Sequence, residues 1–268
     1  MTRFSTYPAG VPCFVDAFSP DPDAARRFYT GIFGWEFAGP GSLPGDPPGE
    51  YYVARVRDGD VAGLGSLPSP QTPVAWNTHV AADDIEAIAG LAQAAGGSVL
   101  VEPVDAPPAG RLAVIADPAG AAVTIWEAGS RPGAELVNEP SAWAMSLLST
   151  PDPDGASEFY ETLFGWRCEP FADAGPGVSL FRLPGYVGGE PEQPVARDVV
   201  AAMAATPDAD APAAWSVDFW IADTDAAAAA APSLGGSVVM PPHDAPPFRR
   251  AVLAAPDGAT FSVSELRL

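Results

Sequence analysis

The chain has 268 residues and a net charge of −21, from 34 acidic and 13 basic residues, and all the basic residues are arginine. The lack of lysine excludes a Schiff-base lysine and a phosphate-loop lysine, and the acidic balance argues against nucleic acid or anionic membranes as partners. We interpret the charge as a solubility feature, with attraction of a cationic ligand as the alternative.

The first half of the chain predicts two units with the same order of elements. Apolar spacing, with Gly and Pro at the breaks, places one strand, one helix and three strands in each unit. Gly34 is expected to end the first helix, with a strand starting at Trp35, and residues 39–49 are expected to form a loop. The other predicted strands are 11–19, 51–57, 61–67, 74–81, 98–103, 111–116 and 121–127, and the predicted helices are 24–33 and 83–95.

The second half repeats the first. Phe28-Tyr29 and Phe33-Gly34-Trp35 return 131 residues later as Phe159-Tyr160 and Phe164-Gly165-Trp166, and Gly96-Gly97 returns as Gly235-Gly236. Residues 184–213 are predicted to be an irregular insertion at the rim of a site, with a short helix over 199–205. The predicted strands are 142–149, 166–171, 178–183, 214–221, 237–240, 250–254 and 260–265, and the predicted helices are 154–164 and 224–231.

These patterns indicate a tandem duplication. The fold class is α+β, with four βαβββ units in two tandem domains, each built on a curved mixed sheet. We place the first domain at 1–128, a linker at 129–140 and the second domain at 141–268, since each half can bury its own core. Two complete domains make a monomer sufficient, with a homodimer as the alternative.

Two cysteines, Cys13 and Cys168, occupy non-equivalent positions in the repeats. Such a pair does not indicate a disulfide framework, so we expect buried unreactive thiols and a cytoplasmic protein. The first ten residues lack the apolar run of a signal peptide, and no segment has the length of a membrane span.

The repeated segments resemble a known superfamily. Asp21 followed by residues 24–29 and then Phe33-Gly34-Trp35 is similar to the opening signature of the vicinal oxygen chelate proteins, which include glyoxalases, extradiol dioxygenases and bleomycin-resistance proteins. Residues 117–121 and 255–259 resemble the closing turn of that fold. The resemblance is greatest to two-domain actinobacterial glyoxalase-like proteins, some of which accompany aromatic polyketide pathways.

The resemblance implies a divalent metal held by His, Gln or Glu at fixed strand positions. Those positions carry poor ligands in both halves, and the two histidines of the chain, His79 and His243, lie in different halves. We therefore predict no metal and no other cofactor. The implied ligand positions hold Phe14, Asn77 and Thr124 in the first half and Met145, Ser216 and Ser262 in the second.

The remaining candidates share the concave faces of the sheets by period two. Trp126 and Trp220 are candidates to stack on a planar ligand, with ordinary core packing as the alternative. His243, beside Asp244, is expected in a loop at the mouth of the site, where a rim residue is the favoured interpretation and a catalytic dyad the alternative.

Three ionisable residues are candidates for acid–base catalysis. Asp16 would be a general acid or base in an apolar cup, although we favour its pairing with an arginine such as Arg111. His79 is a proton donor or a core imidazole, and Asp218 is its counterpart in the second half. Arg111 and Arg249 either hold an acidic group or pair with Asp105 and Asp244.

We therefore expect metal-independent binding of a small apolar or aromatic metabolite, which could be cationic, in secondary metabolism or antibiotic self-resistance. The alternative is a metal-independent enzyme, a lyase, isomerase or hydroxylase that catalyses isomerisation, cyclisation, epoxide opening or hydroxylation of a polyketide-like substrate through Asp or His. Neither glyoxalase I nor extradiol dioxygenase activity is expected, because both need the metal.

Overall fold

The computed structural model describes residues 3–43, 48–172, 175–188 and 196–267. The first half contains eight strands and two helices, in the order that the sequence predicts. They are β1 (Pro12–Ser19), α1 (Pro22–Phe33), β2 (Glu36–Leu43), β3 (Gly49–Val56), β4 (Gly59–Ser66), β5 (Trp76–Ala81), α2 (Ile85–Ala94), β6 (Ser98–Ala106), β7 (Gly110–Ala116) and β8 (Ala122–Ala128).

The second half repeats this order, with a short 3₁₀ turn at Ala231–Leu234 after its second helix. Among the described residues, no helix is long and apolar enough to cross a membrane. The elements are β9 (Trp143–Thr150), α3 (Pro153–Phe164), β10 (Arg167–Pro170), β11 (Val178–Arg182), β12 (Val199–Ala205), β13 (Ala214–Trp220), α4 (Thr224–Ala230), β14 (Ser237–Ala245), β15 (Phe248–Ala254) and β16 (Thr260–Leu266).

Each half forms one curled, mixed sheet of eight strands. The strand orders are β2-β3-β4-β1-β5-β8-β7-β6 and β10-β11-β12-β9-β13-β16-β15-β14. In each sheet, two four-stranded units meet where their first strands pair antiparallel, β1 with β5 and β9 with β13. The structure therefore confirms four βαβββ units in two tandem domains.

Two local predictions were wrong. Residues 199–205 form strand β12 and not a helix, because they pair antiparallel with β11 and parallel with β9. Their alanines favour a helix in isolation, but pairing in the sheet overrides that propensity. Strand β2 continues to Leu43 where a loop was predicted. Residues 44–47 of that loop, and residues 189–195 of the predicted insertion, lie outside the described part of the chain.

The first helix of each domain is bounded by the same local signals. Asp21 accepts a hydrogen bond from the Ala24 amide, and Pro22 occupies the first helical turn. Gly34 then ends α1 in the left-handed region, with φ at 71°, where glycine is preferred. Asp152 and Gly165 do the same for α3. The repeated motif thus fixes the length of each helix and the point at which the chain turns into the sheet.

The two domains pack through their helices and, at the centre, through direct contact of strand β5 with β13, where the Thr78 and Ser146 hydroxyls are hydrogen-bonded at 2.6 Å. One shared core joins α1 to α4 and to the outer face of the second sheet, and a second core joins α2 to α3. The buried rings of α1 lie among Phe219 and Phe261 of the second sheet, with Tyr29 and Phe261 centroids 5.6 Å apart. The helical faces are therefore buried between the domains, and the concave face of each sheet points away from this interface.

Two repeated motifs fit each other across the interface. The Phe159 ring lies against Gly97 of the first domain, and the Phe28 ring lies against Gly236 of the second. A Cβ atom on either glycine would collide with the facing ring and with a backbone carbonyl. The tryptophans add a reciprocal pair of hydrogen bonds, from Trp35 Nε1 to the Ser141 carbonyl at 2.7 Å and from Trp166 Nε1 to the Gly10 carbonyl at 2.6 Å.

We expect Gly97→Ala and Gly236→Ala each to lower the free energy of unfolding by about 1–3 kcal/mol, because overpacking would displace a buried ring. Gly90→Ala is the matched control, since its Cβ would meet nothing within 4 Å and alanine favours the helix. Denaturant unfolding of the three variants measures the difference. Interface variants as stable as the Gly90 variant would contradict this packing.

Candidate functional site

The concave face of the first sheet holds a buried polar cluster around Asp16. Neighbouring strands bring the cluster together, since Asp16 is paired with Asn77 on β5 and with Gly63 on β4. Asn77 Nδ2 donates to Asp16 Oδ1 at 3.0 Å, and the Tyr51 hydroxyl donates to Oδ2 at 2.9 Å. His79 Nε2 lies 3.1 Å from Oδ1. The prediction that Asp16 pairs with Arg111 was wrong, because Arg111 contacts Glu86, Asp105 and Glu127 instead.

This cluster keeps Asp16 ionised. Burial raises the pKa of Asp16, but the interaction with His79 and the hydrogen bonds from Asn77 and Tyr51 outweigh it, so the pKa lies below its ordinary value. Burial and the Asp16 carboxylate raise the pKa of Tyr51, which therefore remains a protonated donor. The arrangement places an anion and a neutral phenol in contact at the floor of the concave face.

Large side chains fill this concave face. Phe14, Asp16, Thr124 and Trp126 are only 3–8% exposed, and the rings of Phe14 and Trp126 both pack edge-on against His79. Tyr51 lies directly over Gly63, where a side chain would collide with its hydroxyl. The first concave face is thus occupied by the protein itself.

The segment predicted to be the linker closes one end of the same face. The Ala134 amide donates to the Cys13 carbonyl, and the Glu135 amide donates to the Asp60 carbonyl, so the segment follows the starts of β1 and β4. Trp126 Nε1 donates to the Arg131 carbonyl at 2.9 Å. Cys13 is fully buried beneath this segment and burial raises its pKa, whereas Cys168 is only half-buried, contrary to the prediction that both thiols are buried.

The concave face of the second sheet has a different polar cluster. Ser264 Oγ donates to Asp218 Oδ1 at 2.8 Å, Arg250 Nε donates to Ser264 Oγ at 3.1 Å, and Arg250 Nη2 lies 3.3 Å from Asp218 Oδ1. Burial raises the pKa of Asp218 above its ordinary value, and Arg250 and Ser264 only partly offset this. The cluster is therefore a buried acid neutralised by a half-exposed arginine.

This second face is more open than the first. Met145, Leu147 and Ser262 are half-exposed, although their counterparts Phe14, Asp16 and Thr124 are buried. The two rings that fill the first face, those of Tyr51 and Trp126, have no counterparts in the second. Val178 takes the register position of Tyr51, and Ser264 takes that of Trp126. Ala202, opposite Leu147, can carry a Cβ where Gly63 cannot.

Three residues that the sequence predicts for the site remain, namely Ser216, Trp220 and His243. Ser216 donates to the Leu147 carbonyl at 3.3 Å, and Trp220 lies half-exposed with its ring 6.4 Å from that of Phe248. The expectation that His243 lies in a loop at the mouth was wrong. It lies on edge strand β14, paired with Arg250, with an exposed side chain whose Nδ1 is 3.1 Å from the Pro241 carbonyl. Strand β14 continues to Ala245, beyond its predicted end at residue 240, and its pairing with β15 has two register shifts.

Two site residues were not identified from the sequence. Tyr51 reaches Asp16 from β3, and its signal is Gly63 on the adjacent strand, where a ring needs space. Arg250 was overlooked in favour of Arg249, which pairs with Asp225 and Asp244 on the outside. The register of Arg250 opposite Ser264 is the signal that places it on the concave face.

The donor sets do not fit the metal centre that the resemblance implies. In the described part of the first face, one imidazole and one carboxylate lie together, and both carboxylate oxygens already accept hydrogen bonds. The acid of the second face is neutralised by Arg250. The one described group of three potential ligands, Asp223, Asp225 and Glu265, lies outside both faces, where Arg249 and Arg267 pair with it.

Comparison with known proteins gives the same fold along the whole chain. Residues 14–125 match the family model described as "Glyoxalase/Bleomycin resistance protein/Dioxygenase superfamily", and residues 133–264 match the model "Glyoxalase-like domain". A Mycobacterium bovis protein named "Putative glyoxylase CFP32" is 36% identical over 269 residues, covering 98% of this chain and 97% of its own length. "Anthracycline biosynthesis protein DnrV" of Streptomyces peucetius is 33% identical, covering 100% of this chain and 96% of its own length.

A solved structure shares the fold at much lower identity. The Mn(II)-bound glyoxalase from Novosphingobium aromaticivorans superposes with a TM-score of 0.64 at 16% identity, covering 99% of this chain and 83% of that one. Identity this low supports a common architecture and no common chemistry.

We expect Asp16→Asn and Asp218→Asn to show opposite pH dependences. The lowered pKa of Asp16 means that its ionisation adds stability above the unfolded-state pKa of about 3.9, and that this stability is lost as the pH falls through the folded-state value. The raised pKa of Asp218 means that wild-type stability relative to the variant falls as the pH rises from about 3.9 toward the folded-state value. Denaturant unfolding from about pH 3 to pH 7 measures both, and parallel profiles would contradict the assignment.

Proposed function

Because this chain belongs to the glyoxalase/bleomycin resistance protein/dioxygenase superfamily, we propose that it reversibly binds a small, largely apolar metabolite on the concave face of its second domain. The observation that carries the proposal is the difference between the two faces. The second face is half-exposed and lacks the tyrosine and tryptophan that fill the first. Binding needs only shape, apolar contact and a few polar groups.

The lining of the second face suits an apolar molecule that carries an oxygen acceptor. Met145 and Leu147 supply apolar surface on β9, and Ser216 and Ser262 supply hydroxyls on the strands beside it. Arg250 uses Nε and Nη2 within the protein, and its Nη1 has no acceptor among the described residues. A ligand carbonyl or phenol oxygen would accept this remaining donor.

The names of two relatives support one class of ligand, the aromatic polyketides. Two Streptomyces proteins that match over the full length of this chain are named for anthracycline biosynthesis. Anthracyclines are planar polycyclic aromatic ketones, a chemistry that combines a large apolar face with carbonyl and phenol oxygens. We therefore propose an aromatic polyketide as the ligand, and the net charge of −21 would raise the local concentration of a cationic one.

Metal-independent catalysis in the first domain is the second candidate function. Its supporting observation is the buried pair formed by Asp16 and His79, in which His79 Nε2 lies 3.1 Å from Asp16 Oδ1. The Tyr51 hydroxyl donates a hydrogen bond to the same carboxylate. The carboxylate would orient the imidazole for proton transfer, and Tyr51 would have to move aside to admit a substrate. Mass spectrometry of a recovered hydroxyanthraquinone tests this candidate, since binding alone returns the molecule unchanged.

Acid–base variants give an independent test of the second candidate. If the first domain is catalytic, Asp16→Asn and His79→Ala would abolish any conversion of the hydroxyanthraquinone while leaving its binding in the second domain within about twofold. The binding proposal predicts no conversion by the wild-type protein. Conversion that these two variants remove would favour the enzyme.

We expect Val178→Tyr to weaken hydroxyanthraquinone binding at least about tenfold, because the new ring would fill the open face as Tyr51 fills the first. Val104→Tyr is the matched control, since Val104 is a 40% exposed valine on edge strand β6 of the first sheet, outside the concave face of the second domain. Isothermal titration calorimetry measures both affinities. Equal loss of binding in the two variants, or no loss in Val178→Tyr, would contradict the placement of the ligand.

A further inference from the structure

A cavity lies where the two domains meet, and it borders the second concave face at Met145. The N-terminal segment, the predicted linker and described residues before and within β12 line it. Four aromatic rings contribute to its wall, and Phe4 and Tyr7 stack on each other with centroids 5.5 Å apart. The aromatic residues of the wall are Phe4, Tyr7, Trp143 and Tyr186. The cavity is therefore shaped by both halves of the chain.

Trp143 supplies a hydrogen-bond donor without an acceptor in this wall. Its side chain is 5% exposed, and its Nε1 is buried with no acceptor among the described residues. A buried indole N–H normally has a partner, because leaving it unpaired costs about 1–3 kcal/mol. Trp35, Trp126 and Trp166 all donate to backbone carbonyls. Trp143 differs from these three tryptophans because its N–H has no acceptor, and a ligand oxygen would supply one.

Arg197 supplies positive charge at the same cavity. Its Nε donates to the Gly188 carbonyl at 3.0 Å, and no acidic side chain pairs with it in the described part of the chain. This is unusual in a protein with 34 acidic residues, because ten of its arginines form ion pairs. Those ten are Arg3, Arg26, Arg55, Arg57, Arg111, Arg131, Arg182, Arg249, Arg250 and Arg267. An exposed guanidinium at the edge of an aromatic-lined cavity suits a carboxylate joined to a ring.

The phenols of this wall remain neutral. Burial raises the pKa of Tyr7 and of Tyr186, so neither adds a negative charge that would repel an anion. The Tyr7 hydroxyl already donates to the Ala134 carbonyl at 2.6 Å, which leaves its ring as the contacting surface. Four aromatic side chains, the buried Trp143 N–H among them, and the exposed Arg197 therefore belong to the lining of one small cavity.

We infer that this junction cavity, which meets the second concave face at Met145, is an additional binding site for a small aromatic carboxylate. The ring would pack between the aromatic side chains, and the carboxylate would accept hydrogen bonds from Arg197 at the mouth, with Trp143 Nε1 as the inner donor. Because the predicted linker and both domains form the wall, an occupied cavity would also hold the domains together.

The test uses 1-naphthoate with the full chain, followed by calorimetry and by the indole N–H resonances in NMR. We expect one saturable site, a shift of the Trp143 resonance, and about fivefold weaker binding in Arg197→Gln. Trp143→Phe assigns the resonance and keeps an aromatic ring. Arg167→Gln is the matched control, because Arg167 also lacks an ion pair with the described residues but lies on β10, outside the cavity.

Several results would overturn the inference. They are no saturable binding of 1-naphthoate, equal weakening by Arg167→Gln, a Trp143 resonance that does not move, or equally tight binding of neutral 1-naphthalenemethanol. Val178→Tyr distinguishes this site from the second concave face, because Val178 is not among the residues that line the cavity. Naphthoate binding should survive that variant whether or not hydroxyanthraquinone binding on the concave face is real.

Discussion

The packing of the two domains through their helices determines the rest of this structure. Each repeated phenylalanine lies against the second glycine of the other domain's Gly-Gly pair, Phe159 on Gly97 and Phe28 on Gly236. The tryptophans that follow the helices donate to backbone carbonyls at equivalent places, Trp35 to Ser141 and Trp166 to Gly10. The repeated motif therefore serves the contact between the duplicated domains, and it leaves the concave faces free to diverge.

The concave faces of the two domains differ in their polar clusters and in how far they are filled. In the first, the ionised Asp16 accepts hydrogen bonds from Tyr51 and Asn77 and lies 3.1 Å from His79 Nε2 beneath large side chains, so the face is closed. In the second, Asp218 pairs with Arg250 and accepts a hydrogen bond from Ser264, and small side chains leave the surface open. A closed cluster with a hydrogen-bonded carboxylate stabilises a domain, whereas an open face with a spare donor can receive a ligand. These contacts favour an arrangement in which the first domain supports the structure and the second domain binds the ligand.

The scaffold could be predicted from the sequence because its signals are local. Asp21, Pro22 and Gly34 define α1 within a few residues, and period-two spacing correctly placed Asn77 and His79 on the face of Asp16. Strand β12 could not be recognised, since an alanine-rich segment becomes a strand only through pairing with β9 and β11. Tyr51 and Arg250 were overlooked for a related reason. Their contacts depend on register between strands, which no short stretch of sequence specifies.

Binding of a small aromatic molecule on the concave face of the second domain would be seen directly in a crystal structure of the full chain soaked with a hydroxyanthraquinone. We expect electron density for the ligand between β9, β12 and β13, with a ligand oxygen within hydrogen-bond distance of Arg250. Density over Asp16 and His79 in the first domain, with the second face empty, would contradict this expectation.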